Sequence, residues 1–177
     1  MKNLLKSFVY AFKGIVFCIV NERNFRIHLC FLAFMFGFLT LRDFFVVSKT
    51  QFAILALTSA AVISLELVNT AVEKAVDLAC GGKKHNLAKI AKDACAGAVL
   101  VSAIAAVIIG VLILYQPDAF SAMYAYYKSN FTEFALLIAS VAAGFAFVFA
   151  GPKKIAGLFT RRSKNHFWRW YIIRKCI

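Results

Sequence analysis

Only eight acidic residues stand in this 177-residue chain, and three of them, Glu66, Glu73 and Asp77, fall inside one apolar stretch. A carboxylate inside a membrane-type helix costs roughly 2.5–3.5 kcal/mol on insertion scales. Three in one segment must be repaid by pairing, by a metal or by water. Their spacing is helical. At 100° per residue with Glu66 at zero, Glu73 falls at about −20°, Asp77 at about +20° and Asn69 at about −60°. These four share an arc of about 80°, and Thr70 at about 40° joins the stripe. The stretch is therefore expected to turn a polar seam toward protein and not toward lipid. Glu66 lies eleven residues from Asp77, or about 16 Å along a helix axis.

Further groups could work with that seam. The segment Gly81-Gly82-Lys83-Lys84-His85-Asn86 is basic, and Lys92-Asp93 follows it. Glu22 sits in Asn21-Glu22-Arg23-Asn24. Carboxylates with lysines between them suit a divalent cation carrying a polyphosphate. Mg2+ takes one or two carboxylates and completes its shell with phosphate and water, and lysines offset the phosphate charge. Two other readings stay open on spacing alone: a polar stripe that glues helices together, or an ion or proton pathway. His28 reads as a packing or interface residue and not as a ligand. No P-loop, kinase Gly-rich loop or GxSxG elbow occurs.

The elements that must position these residues follow from composition. Hydrophobic residues make up 62% of the chain and charged residues 16%, against roughly 45–50% apolar in a soluble domain. Mean hydropathy is +0.77. A soluble fold of this size could not bury so much apolar surface, so the expected class is an all-α integral membrane protein. Residues 1–26 read as an amphipathic surface helix, with Leu4, Leu5, Phe8, Phe12, Ile15 and Ile19 set against Lys2, Lys6 and Lys13. Four spans follow: Ile27 to Leu41, with a continuation through Val47 considered; Gln51 to Leu78; Ala94 to Leu114; and Phe131 to Ala150. At about 42 Å the second outruns a bilayer core of about 30 Å, so one end should protrude.

Net charge is +13. In a membrane protein this reads as basic loops against anionic lipid, with no nucleic-acid partner. Lys and Arg number five in residues 1–26, two in 42–50, four in 79–93, one in 115–130 and eight in 151–177. That alternation predicts both termini and the 79–93 loop on the cytoplasmic side. The N-terminus lacks the apolar run of a secretory signal. The five cysteines, Cys18, Cys30, Cys80, Cys95 and Cys176, show no paired spacing and read as small buried apolar residues.

The run Glu66-Leu-Val-Asn69-Thr70-Ala-Val-Glu73-Lys-Ala-Val-Asp77 resembles the signature ExxN[ST]xxExxxD of the prokaryotic diacylglycerol kinase family. Lys92-Asp93 with its Ala- and Gly-rich continuation resembles the family's second block. Phe12-Lys13-Gly14, Glu22 and Asn24-Phe25-Arg26-Ile27-His28 also match. The likeness covers residues 1–117, and the wording Glu-Arg-Asn-Phe-Arg-Ile-His is closer to the branch that phosphorylates undecaprenol.

The resemblance implies a small integral-membrane lipid kinase of the bacterial inner membrane, a homotrimer with a surface helix and three transmembrane helices per subunit. Such an enzyme transfers the γ-phosphoryl of MgATP to a membrane lipid alcohol. Carried over by motif, Glu66 is the general base and touches the acceptor together with Asn69, which would support it. Glu22 and Glu73 would hold Mg2+. Tyr10, Glu22, Glu73, Asp77, Lys83, Lys84, His85, Lys92 and Asp93 would contact the nucleotide. Undecaprenol is the first acceptor and diacylglycerol the second; a small ion transporter and a non-catalytic scaffold are the rivals from other classes. Two features depart from the family. Asn3 falls where its N-terminal ATP-binding arginine belongs, with Lys2 and Lys6 nearby. Residues 118–177 add a fourth span and the basic aromatic tail Arg161-Arg162-Ser-Lys164-Asn-His166-Phe-Trp168-Arg169-Trp170-Tyr171, too short for a fused phosphatase. That tail reads either as an interface anchor or as a degenerate extension.

Overall fold

The computed structural model describes residues 2–160, and these form six helices. They are α1 (Lys2–Asn21), α2 (Arg23–Leu41), α3 (Lys49–Ala79), α4 (Asn86–Leu114), α5 (Pro117–Ser129) and α6 (Phe131–Thr160). The described residues contain no strand, and the all-α membrane class holds. Five helices (all but α5) are long and apolar enough to cross a bilayer, so α1 meets that criterion along with the four expected spans. In α1 the three lysines Lys2, Lys6 and Lys13 lie within an arc of about 40°, with the apolar residues opposite.

Helices α3 and α4 form the long antiparallel hairpin, in which α4 packs on α3. Ser48 starts α3 with a capping box: its side chain accepts from Gln51 N–H, and the Gln51 side chain accepts from Ser48 N–H. Gly81 and Gly82 close the turn to α4 with φ of +54° and +77°, values that side chains with a Cβ rarely adopt. Helix α2 packs on α3 on one side and on α6 on the other, and α1 crosses the ends of all three.

Several expected boundaries move. The surface helix stops at Asn21, not at residue 26, because Glu22 is extended (φ −104°, ψ 116°) and residues 23–26 are already the first turn of α2. Span one does not run on to Val47, since Arg42 is extended and ends α2 at Leu41. Residues 117–129, between the third and fourth expected spans, form α5. The signals for it are present in the chain: Pro117 at the first helical position, Asp118 in the first turn and Lys128 in the last. The fourth span begins at Phe131 as expected, and a break at Gly151 follows its expected end at Ala150. The basic aromatic tail from Arg161 lies outside the described residues.

Helix α6 packs along α2, and α5 lies against α6 and the segment that follows α2. Arg42 pairs with Glu133 and donates to the Tyr126 hydroxyl at 3.0 Å, and Phe45 meets Phe120 edge-on. Near mid-helix Gly144 faces Phe34, where a Cβ on residue 144 would come within 3.2 Å of the ring. Gly144→Val should therefore push α6 off α2. The expected cost is about 1–3 kcal/mol, seen as a lowered thermal unfolding midpoint in detergent, and an unchanged midpoint would contradict this packing.

Candidate active site

Along α3 the polar seam grades from buried to exposed. Glu66 is 4% exposed and Thr70 5%, whereas the Asp77 side chain is 59% exposed. The gradient is what a helix produces when its polar stripe leaves the packed interior for water. Glu66 is not left alone in that interior: His28 of α2 brings Nε2 to 3.3 Å from Glu66 Oε1. His28 is thus the direct partner of the most buried carboxylate, not a plain packing residue. Its place one and a half turns into α2 points it across the α2–α3 contact.

Glu66, His28, Asn24 and Asn69 line a polar pocket of 230 Å³ walled by Ala96, Val99 and Leu100 of α4. Beside it runs an apolar groove of 560 Å³ between α2, α3 and α4, closed at its far end by Phe45, Phe120 and Met123. Ile27, His28 and Ala103 line both spaces. The His28–Glu66 pair therefore stands where polar and apolar volumes meet.

One turn up the seam, Asn69 Nδ2 donates to Glu73 Oε1 at 3.3 Å. The amide therefore supports Glu73, not Glu66 as expected. Asn69 Oδ1 is buried with no hydrogen-bond partner. Glu22 caps α2 only through its backbone; its side chain makes no cap hydrogen bond and instead faces Lys74 Nζ at 3.5 Å. Lys74, which sequence reasoning left without a role, is thus the cation that faces Glu22 from α3. Cys18 of α1, buried against Thr70 and within reach of the Glu22, Glu66 and Lys74 charges, ties the surface helix to the same cluster. The thiols of Cys18, Cys30, Cys80 and Cys95 are free.

At the exposed end Lys92 hydrogen-bonds Asp77, linking the start of α4 to the end of α3. The remaining expected contacts are not gathered in. Lys83, Lys84 and Asp93 are exposed. His85 caps α4 by accepting from Leu87 N–H at 3.2 Å. Tyr10 is 65% exposed on α1 with Lys13 above its ring, eleven residues, or about 16 Å, from the helix end.

A divalent cation fits this chemistry in one way. Among the described residues no three His, Cys, Asp or Glu side chains converge on a point, so the protein offers no closed cage. It does offer hard oxygens with unused capacity, namely the carboxylates of Glu22 and Glu73 and the unpartnered Asn69 Oδ1. Mg2+ binds in that manner, through one or two carboxylates with phosphate and water completing the shell.

Comparison with known proteins adds the following. The prokaryotic diacylglycerol kinase family matches residues 9–114. A diacylglycerol kinase of Synechocystis sp. is 49% identical over 115 residues, 65% of this chain and 64% of that protein. An undecaprenol kinase of Bacillus subtilis is 43% identical over 115 residues, 64% of this chain and 89% of its own length. A diacylglycerol kinase of Haemophilus influenzae is 35% identical over 104 residues, covering 58% and 83%. The matched part thus spans just under two thirds of the Synechocystis relative. No solved structure matches the chain.

Proposed function

With more than half of its length matched, residues 9–114, the chain belongs to the prokaryotic diacylglycerol kinase family, and on that premise we propose that it phosphorylates a membrane lipid alcohol with MgATP. The observation that carries the reading is the position of Glu66. It is buried, paired with His28, and set at the meeting of a polar pocket with an apolar groove. A lipid alcohol needs that meeting: its hydroxyl must reach a carboxylate while its chain stays out of water.

In this mechanism Glu66 accepts the hydroxyl proton as the lipid oxygen forms its bond to the γ-phosphorus and the bond from that phosphorus to the β–γ bridging oxygen breaks, releasing ADP. His28 holds the Glu66 carboxylate in place. Asn69, which lines the same pocket, lies beside the acceptor and holds Glu73 through its amide N–H. Glu22 and Glu73 would hold Mg2+, which would supply neutralisation of the phosphate charge. Lys92, with Asp77, Lys83, Lys84, His85 and Asp93 around the α3–α4 turn, receives the nucleotide. Tyr10 joins them only if α1 moves or a second copy supplies it, which suits a homotrimer. The basic α3–α4 turn and the N-terminus face the cytoplasm, where ATP is, and α1 lies on the inner-membrane surface.

Undecaprenol is the proposed acceptor. Support comes from the Glu22-Arg23-Asn24-Phe25-Arg26-Ile27-His28 wording and from the Bacillus subtilis undecaprenol kinase, matched over 89% of its length. Diacylglycerol is the second reading, favoured by the name of the 49% identical Synechocystis relative. Protein in detergent, given γ-labelled ATP, Mg2+ and each lipid in turn, should place label on undecaprenol faster than on diacylglycerol. The reverse order selects the second reading, and label on neither lipid overturns the kinase assignment.

A further inference from the structure

The part of the chain beyond the family match reaches back to the elbow that carries Glu22. Helix α6 breaks where Gly151 takes φ +71° and Pro152 follows. Gly151 turns the chain off the helical path and Pro152 has no N–H, so the carbonyl four residues before the proline, that of Val148, has no helical donor. Arg26 supplies the replacement, donating Nε at 3.2 Å and Nη2 at 3.0 Å to Val148 O. Its remaining nitrogen, Nη1, donates to the carbonyls of Ile19 at 3.1 Å and Val20 at 3.4 Å. Those two carbonyls belong to the last turn of α1, which a helix leaves without donors.

Arg26 is 6% exposed, and its hydrogen-bond partners are backbone carbonyls on two different helices. A buried guanidinium is costly unless its donors are filled, and here carbonyls that the fold itself orphans fill them. A Cβ on residue 151 would lie 3.4 Å from Arg26 Nη2, so glycine serves both the left-handed turn and the close approach. Beyond the break, Lys153 Nζ donates to Asn21 Oδ1 at 2.7 Å. Contacts made on residues 19, 20, 21 and 26 thus bracket Glu22 in the chain, while its carboxylate faces Lys74.

We propose that the broken end of α6 is a positioning element for Glu22. Arg26, held by the Val148 carbonyl that the Gly151–Pro152 break frees, sets the angle between α1 and α2 and with it the place of the Glu22 carboxylate. The inference rests on the reading of Glu22 as a group serving the nucleotide and its cation. Arg42 anchors the opposite end of α2 to α5 and α6 without touching the elbow, which supplies a control for loosened packing in general.

The test compares Arg26→Lys, Pro152→Ala and Arg42→Gln in the full chain. Amide hydrogen exchange of residues 19–26 is followed without nucleotide, and binding of the β,γ-imido analogue of ATP with Mg2+ is titrated by calorimetry. Arg26→Lys and Pro152→Ala should speed exchange at the elbow and weaken analogue binding by about five- to twentyfold, with the lipid KM held within about twofold. Arg42→Gln should change neither. In a Glu22→Gln background Pro152→Ala should add nothing, since coupled residues do not add. Should Arg26→Lys fail to fold, Pro152→Ala, which restores an N–H and releases the fixed φ at residue 152, carries the test. Unchanged elbow exchange, an equal effect from Arg42→Gln, or full additivity with Glu22→Gln overturns the proposal. If the unaltered protein labels neither lipid yet these binding shifts appear, the acceptor reading falls and the positioning role stands. Failure of the unaltered protein to bind the analogue overturns both.

Discussion

Glu66→Gln should lower the rate of lipid phosphorylation by about 10²- to 10⁴-fold, the range that a positioned general base contributes, while nucleotide binding stays within about twofold. The amide keeps the size of the carboxyl and can still accept from His28 Nε2, which lies 3.3 Å away, so the packing between α2 and α3 survives. What it lacks is the capacity to take the acceptor's proton. Because Glu66 is 4% exposed, bulk water does not substitute for it, and the loss should persist at saturating lipid. A variant that keeps more than about a tenth of the starting turnover removes Glu66 as the base. His28→Leu separates chemistry from support: the carboxylate remains but loses its partner, so turnover should fall by less than in Glu66→Gln.

The seam was legible because its information is local. Residues at positions 66, 69, 70, 73 and 77 share a face of any helix they form, whatever packs against it, and the cost of a buried carboxylate says that this face meets protein. Span positions were legible for the same reason, since a hydrophobic run needs no partner to be recognised. Pairings across helices were not. His28 sits in the sequence like any residue near a membrane boundary, and only the α2–α3 crossing brings it onto Glu66. Asn69 is within reach of both Glu66 and Glu73 by spacing, and side-chain geometry decides for Glu73. The Arg26 contact joins residues 122 positions apart through a backbone carbonyl, a group every residue carries and no composition marks. The α5 helix is marked differently, by the ordinary end signals Pro117, Asp118 and Lys128 in a stretch between two spans that hydropathy alone leaves without an element. The extended conformation at Glu22 likewise splits what an apolar pattern alone reads as one continuous surface helix.

Lys92→Met should give the second large effect, a fall of about 10²- to 10³-fold in kcat/KM for ATP, as expected when a cation aimed at a transferring phosphoryl group is removed. In the structure Lys92 is engaged with Asp77, and the two side chains are 34% and 59% exposed. Ion pairs so open to water contribute little to folding, so the unfolding midpoint should move by no more than about 2 °C. Activity and stability are thereby separated: a structural lysine would move both, a nucleotide lysine only the first. Asp77→Asn then divides the two roles of the pair. If Asp77 merely holds Lys92 near the turn, releasing the lysine should leave the KM for ATP unchanged or lower. If Asp77 itself contacts the nucleotide or its cation, as the resemblance implies, that KM should rise severalfold with the lipid KM unmoved. A midpoint that drops in step with activity in Lys92→Met would place the lysine in the scaffold and take the α3–α4 turn out of nucleotide binding.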